Sequence, residues 1–440
     1  FSHFAYFSTF DKINGVMLDI KFIRENAELI KEAARKKHID FDVAKLLEAD
    51  DLRLKILKEV EDMRARQNAA SDNIAKIQDA QDRQKAIGEM KELKEKLLAR
   101  VEELRKSNDV WRELMILVPN IPDVSVPEGE SDAQNAEIKK WGDIPDFKAK
   151  GFEPKSHIEL MQKLGMADFE RGAKVSGFRG YFLKNDGALL SFAIWQYGLE
   201  FFMKKGGFSP MIVPSLVRRE QMFGTGYLPQ GEEDLYKTQD SDYLAGTAEV
   251  SAMGYHSEEI LDKKDLPKKF LCFSPCFRRE AGSHGKDVKG LIRVHEFFKL
   301  EQVVLCEADH QESVKWHEWV NRNTEEFMES LKIPYRTVIN CGGDLGLGQV
   351  KKYDIEFWTP NENKYREISS ASYFHDFQTR RLNIRYKDET GKLKFAHSLN
   401  STAVPTPRVI VSIVENYQQA DGSILVPEVL RKYIGKEKIS

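Results

Sequence analysis

The stretch FRREAGSHGKDVKGLIRVHEFFKLE, residues 277–301, decides how the chain reads. A strand-like run enters it, a charged, glycine-rich loop interrupts it, and a second strand-like run leaves it. Side chains alternate across a strand, so Arg278 and Glu280 are expected on one face of the first run. Arg293, His295 and Phe297 are expected on one face of the second. A sheet face presenting Arg, Glu and Phe together is a poor core. It suits a nucleotide, because guanidinium groups pair with phosphate oxygens and an aromatic ring stacks on a base. A salt-bridged sheet surface accounts for the charges but not for the phenylalanine among them.

Further strand-like runs lie at 209–214, 335–339, 353–358, 382–386 and 395–399, and helical stretches at 187–205 and 407–417. Several strands follow one another with no helix between them. That predicts an α+β fold with a largely antiparallel sheet flanked by helices, not a doubly wound parallel sheet. Two other glycine-rich runs lack the required context. GDLGLG at 343–348 has no strand-to-helix entry and no third glycine in register, and GSHGKD at 282–287 has the wrong loop length and no following Ser or Thr.

Upstream the composition changes. Residues 18–118 are dense in Glu, Lys, Arg, Ala, Leu and Gln, with Gly88 alone and no proline. Leu52, Ile56, Val60 and Met63, then Leu97, Val101, Leu104, Trp111 and Met115, recur at three- and four-residue steps. The polar run 78–83 (QDAQDR) marks the reversal. The expectation is a long antiparallel two-helix coiled-coil arm, of about forty and thirty residues and ~60 Å long. Its interleaved acids and bases read as solvated helix faces; its use is either a projecting lever that touches something large or a dimerisation coiled coil. PNIPDVSVPEGESDAQN at 119–135 has a linker's composition. The expected divisions are therefore an extension of unknown status at 1–16, a helical arm at 17–118, a linker at 119–150 and a catalytic domain at 151–440.

Composition bounds the rest. The chain has 440 residues, with Lys+Arg 67 against Asp+Glu 70 and a net charge of −3, which excludes a uniformly basic nucleic-acid wrapper. No run approaches the ~18 apolar residues of a membrane helix. The 4 cysteines (Cys272, Cys276, Cys306 and Cys341) are too sparse for a disulfide framework, and no histidine stands at zinc spacing. They read as small buried thiols in a reducing cytosol. Residues 1–15 fit neither a transit nor a signal peptide, and Met17 reads like a start.

The motifs resemble a known family. GGFSPMIVP (206–214), the 277–280 and 293–297 segments, and LNSTAVPTPRVIVSIVEN (399–416) resemble the three signatures of class II aminoacyl-tRNA synthetases. GTAEV (246–250), GLIRVHEF (290–297), KKYDIE (351–356), YREISS (365–370) and LNSTA together resemble the seryl-tRNA synthetase family in particular. The likeness runs from Met17 to the end. It implies a ligase that joins L-serine to ATP as seryl-adenylate, then passes the seryl group to tRNA(Ser) and, in some members, to tRNA(Sec). It also implies Mg2+, a cytoplasmic homodimer, and an arm that grips the tRNA.

Residue roles follow from the resemblance. Arg278 would bridge the α-phosphate and the amino-acid carboxylate, and Arg408 would hold the γ-phosphate at a helix start. Glu280 would lie near the adenine amino group and Phe297 would be the adenine platform. Arg279, Arg293, Val294, His295, Ile368 and Ser369 complete the implied ATP site. Glu367 and Ser370 would hold Mg2+ as well as ATP. Thr247, Ala248 and Glu249 surround the serine ammonium, and Glu301 and Thr402 form the hydroxyl pocket. Ser251, Ala371, Tyr373, Ser401, Pro405 and Pro407 depart from residues frequent in the family without removing a named side chain. Two other readings remain: an amino-acid activating paralogue that loads a carrier protein, and a non-catalytic synthetase-like RNA-binding protein. The first lacks a long arm, and the second tends to lose Arg278, Glu301 or Arg408.

Overall fold

A computed structural model describes residues 18–282, 285 and 287–440. The extension expected at 1–16 lies outside the described residues. The described chain divides into two compact units, one formed by residues 18–35 and 39–119, the other by 36–38 and 120–440.

The helical unit contains α1 (Ile20–Glu25), α2 (Ala27–Lys36), α3 (Val43–Ile74) and α4 (Ala80–Ile116). The two long helices are thus preceded by two short ones that the composition did not separate. Asp42 caps α3 by accepting from the Ala44 and Lys45 amides, and Asp79 caps α4 through Gln81 and Asp82. The Asp79 cap explains why the chain reverses at 75–79: residues 80–83, expected in the turn, are already helical. Ile56, Val60 and Leu97 form the buried seam, with Met63, Val101 and Leu104 against them. Leu52, expected in that stripe, is 54% exposed. Beside it the seam turns polar. Asp50 is 1% exposed and is held by Arg24 at 2.7 Å and Arg53 at 2.6 Å, and the Arg53 guanidinium lies 4.4 Å from the Trp111 ring centre.

The second unit is built on one eight-stranded sheet. Its elements in chain order are β1 (Ala136–Trp141), α5 (Asp186–Lys204), β2 (Phe208–Ile212), α6 (Glu249–Gly254), β3 (Lys268–Phe277), β4 (Glu296–Cys306), α7 (His310–Ser330), β5 (Tyr335–Ile339), β6 (Lys351–Thr359), β7 (Lys364–His375), β8 (His397–Pro405) and α8 (Thr406–Asn416). The strands run in the order β1-β5-β6-β7-β8-β4-β3-β2. Every pairing is antiparallel except that of β2 with β3. The stretch expected as a linker therefore carries β1, the edge strand paired with β5.

Alternation along β4 sorts the sheet into a structural face and a functional face. Leu300 belongs to the main core with Phe327 of α7 and Val409 and Ile413 of α8. Gln302 donates to Val320 O and Thr324 Oγ1 of α7. Lys299 and Glu301 alternate with these residues along the strand and so point away from that helix. The four cysteines are all free and buried, and burial pushes the Cys272 thiol up to about 12. Among the described residues no helix is long and apolar enough to cross a membrane.

Candidate active site

The open face of β3, β4, β7 and β8 carries two adjoining cavities. The smaller, about 50 Å³, is lined by Arg278, Glu280, Arg293, Phe297, Glu367 and Arg408, with Val294 and Ile368. The larger, about 320 Å³, is lined by Thr247, Glu249, Glu301, Lys352 and Ser370 among others. Arg278, Lys299, Glu367 and Thr402 border both. Thirteen of the seventeen residues expected in a site thus converge on one surface although they span positions 247 to 408.

In the smaller cavity the local geometry departs from the sequence reading. β3 ends at Phe277, so Arg278 and Glu280 are not strand neighbours on one face. Arg278 still donates its amide to His295 O at 2.9 Å. Its Nε bonds Gly246 O at 3.3 Å and its guanidinium sits 5.3 Å from the Phe297 ring centre. Glu280 adopts φ +55° and turns to pair with Arg293. Arg408, in the first turn of α8, donates to Ile292 O at 3.1 Å and to Glu367 O at 3.0 Å, and stands 3.2 Å from the Glu367 carboxylate. Burial would raise the Glu367 carboxyl, but Arg408, Lys352 and Arg278 outweigh it and hold that carboxyl below its usual range.

Four expected residues do not line these cavities with their side chains. β4 begins at Glu296, so the alternation shared by Phe297 and Glu301 does not extend back to His295. His295 lines a separate, more apolar cavity of about 630 Å³ with Phe178, Trp195 and Tyr236. Arg279 follows the end of β3 and donates its amide to Asp234 O. Ala248 packs in the core cluster with Val303. Ser369 alternates against Ile368 and Ser370 and donates to Thr402 O at 2.7 Å.

The larger cavity is a buried polar network. Thr402 and Glu301 are cross-strand partners, and the Thr402 hydroxyl donates to Glu301 at 3.3 Å. Glu249, at the start of α6, accepts from Gln378 at 2.6 Å and from the Tyr227 hydroxyl at 2.9 Å. Burial lifts its carboxyl to about 7, and nearby Glu301 adds to the lift; Gln378, Tyr227 and Lys299 act against it. Asp354 lies beside the cavity, 3.7 Å from Lys352, and burial raises it to about 6.

The sequence reading missed Lys299, Lys352, Tyr227 and Gln378. Lys299 was recoverable, because 297, 299 and 301 share a strand face by the period-two rule. It also missed the GDLGLG loop, which walls the larger cavity through Gly346, Leu347 and Gly348. A Cβ on Gly348 would meet the Phe377 ring at 2.4 Å, so only glycine fits there. The buried Lys37 ammonium ties this loop down by donating to Gly346 O, Leu347 O and Gln349 O at 3.1, 2.9 and 2.6 Å.

Residues 17–122 match the family model for the seryl-tRNA synthetase N-terminal domain, and residues 234–417 that for the class II tRNA synthetase core domain (G, H, P, S and T). The serine–tRNA ligase of Deinococcus radiodurans is 45% identical over 96% of this chain and 99% of its own length. The chain belongs to the seryl-tRNA synthetase family. Among solved structures, the seryl-tRNA synthetase of Pyrococcus horikoshii complexed with ATP superimposes with a TM-score of 0.88, at 40% identity over 96% of this chain and 99% of that one. The cytoplasmic serine-tRNA ligase of Naegleria fowleri in complex with AMP gives 0.82, at 33% identity over 94% and 96% of the two chains. The fold expected from sequence, an antiparallel sheet with helices preceded by two long helices, is the fold of this family.

The departures from frequent family residues have local partners here. Ser251 donates its hydroxyl to Pro214 O. Tyr373 donates to Asp123 at 2.7 Å. Pro407 sits in the first turn of α8, where a missing N–H costs nothing.

Proposed function

We propose that the chain is a serine–tRNA ligase, which activates L-serine with ATP and transfers it to tRNA(Ser). The observation that carries this reading is the junction of the two cavities at Arg278. A triphosphate-sized ligand with its base at Phe297 and phosphates between Arg278 and Arg408 would abut an amino acid in the Glu249–Glu301–Thr402 pocket. The serine carboxylate then attacks the α-phosphorus and pyrophosphate departs. The terminal adenosine of tRNA next attacks the acyl carbon and AMP departs. No protein nucleophile is required. The enzyme's work is to hold two anions together and to stabilise the charge that builds on the α-phosphate, for which Arg278 is placed. Glu249 would take the serine ammonium, and Glu301 with Thr402 the hydroxyl.

Glu367 and Ser370 fit Mg2+, which takes few protein ligands and completes its shell with phosphate oxygens and water. Bound there, the ion would neutralise phosphate charge. Held between Arg408 and Lys352, the Glu367 carboxylate stays ionised and ready for it.

The helical unit, residues 17–118, is proposed to hold the tRNA through shape and backbone contacts, with 119–150 joining it to the catalytic domain at 151–440. Charging of tRNA(Sec) by the same route belongs to this proposal. A homodimer is supported by apolar surface left open near the 630 Å³ cavity, where Phe178, Phe192 and Leu189 are 53%, 64% and 48% exposed. Free cysteines accord with a cytoplasmic setting. The presence of the long helical arm weighs against a carrier-loading paralogue, and the retained Arg278, Glu301 and Arg408 against a non-catalytic protein. ATP–pyrophosphate exchange driven by each common amino acid tests the reading. Serine should drive it best, and faster exchange with any other amino acid would overturn the assignment.

A further inference from the structure

Lys299 stands between the two halves of the amino-acid pocket. It is 4% exposed. Its ammonium lies 2.5 Å from Glu301 Oε2 and donates to Thr247 Oγ1 at 2.9 Å. Thr247 Oγ1 in turn accepts the Glu249 amide at 3.3 Å. One cation therefore links the side of the pocket that holds Glu301 and Thr402 to the side that holds Thr247 and Glu249.

Charge counting gives this link a purpose. The pocket buries two carboxylates, Glu249 and Glu301, at 5% and 2% exposure. An uncompensated buried carboxylate is costly and draws in a cation. An α-amino acid brings one ammonium, and its carboxylate goes to Arg278. With Lys299 already on Glu301, the incoming ammonium has one carboxylate left to neutralise, Glu249. Glu301 keeps a lone pair for a neutral donor. Without Lys299 the pocket would carry one negative charge too many, and the group most favoured at Glu301 would be a second ammonium.

We propose that Lys299 is a specificity-determining residue that makes the pocket select a neutral side-chain hydroxyl over a side-chain cation of the same size. The rejected class is the short diamino acid, of which 2,3-diaminopropionate is the member isosteric with serine. This inference rests on the serine pocket proposed above. Lys299 acts through Glu301 and Thr247 and is a positioning residue for them.

The test uses the full-length protein and ATP–pyrophosphate exchange with serine and with 2,3-diaminopropionate, at a pH where the side-chain amine of the latter is charged. Lys299→Met should raise the serine KM by ~100-fold while the ATP KM moves by less than ~3-fold, and should raise the diaminopropionate-to-serine ratio of kcat/KM by ~100-fold or more. An unmoved ratio, or equal loss with both amino acids, overturns the proposal. Glu301→Gln separates this inference from the reading beneath it. If that variant keeps parental serine kinetics, the pocket itself is misassigned. If it loses serine activation while Lys299→Met does not, only the role of Lys299 fails. Should Lys299→Met not fold, Lys299→Met added to Glu301→Gln carries the test. With no carboxylate left to hold, the second change should raise the serine KM by less than ~3-fold, and a further ~100-fold loss contradicts the proposal.

Discussion

Glu249 should make serine binding sensitive to pH. Its carboxyl is 5% exposed and is lifted from 4.5 to about 7, by burial first and by Glu301 second. The groups facing it are Tyr227, Gln378, Thr247, Lys299 and Glu301. In the empty protein the carboxyl holds a proton up to about neutral pH, and the ammonium of serine needs it ionised. At pH 6 about a tenth of the molecules would be ionised, so serine should bind roughly tenfold more weakly than at pH 8. Binding at pH 6 should release close to one proton, seen by calorimetry in buffers of different ionisation enthalpy. The same shift acts on the empty fold with a definite sign. The folded carboxyl is raised above its unfolded value of 4.5, so its contribution is fully present below that pH and is lost as pH rises through about 7. The loss is at most roughly 3 kcal/mol. Glu249→Gln should abolish proton release and flatten the pH profile of serine binding. It should also leave the ligand-free protein more thermostable than the parent at pH 8.5 but not at pH 5. Buffer-independent binding enthalpies at pH 6, or a variant with the parental profile, would refute the reasoning.

The helical seam gives a stability prediction. Val60, fully buried against α4, should lose about 1–2 kcal/mol on truncation to Ala, lowering the melting of the helical unit while serine-dependent exchange persists. Removing about residues 50–106 should spare adenylate formation and abolish tRNA charging; normal charging by the shortened protein would refute the role given to these helices. Alanine should be activated ~10⁴-fold less efficiently than serine, because Glu301 and Thr402 would be left without a hydroxyl; measurable alanine exchange at comparable kcat/KM contradicts this. Light scattering should give twice the chain mass, and Phe192→Asp should halve it.

Much of this architecture can be read from the sequence, and the parts that cannot have identifiable physical reasons. β3, β4 and β5 stand out because runs of apolar and β-branched residues dominate them, even though β4 also carries Lys299, Glu301 and Gln302. β7 was missed as a strand, although its YREISS segment was recognised as a motif. Its residues are charged or small because Glu367 and Ser370 point into cavities and Ser369 ties down β8. β1 reads as linker because an edge strand can be polar: Glu137 and Ile138 are exposed, and only its pairing with β5 defines it. α7 was hidden by the polar residues that its inner face needs, such as Asn323, which donates to Gln302 at 3.0 Å. Most site residues could be named from their motifs, but their geometry could not. Glu280 leaves the strand face by a left-handed turn, and His295 falls to another cavity because β4 starts one residue later. Lys299 was legible by alternation alone, yet its meaning depends on burying two carboxylates at once, which only the folded pocket shows.

The most direct test of the account is a crystal structure of the protein with a non-hydrolysable seryl-adenylate analogue. The adenine should lie against Phe297, the phosphate mimic should contact Arg278, and the seryl hydroxyl should sit within hydrogen-bonding distance of Glu301 and Thr402. An analogue bound in the 630 Å³ cavity beside Phe178 and Trp195, or with its seryl group turned away from Glu301, would contradict it.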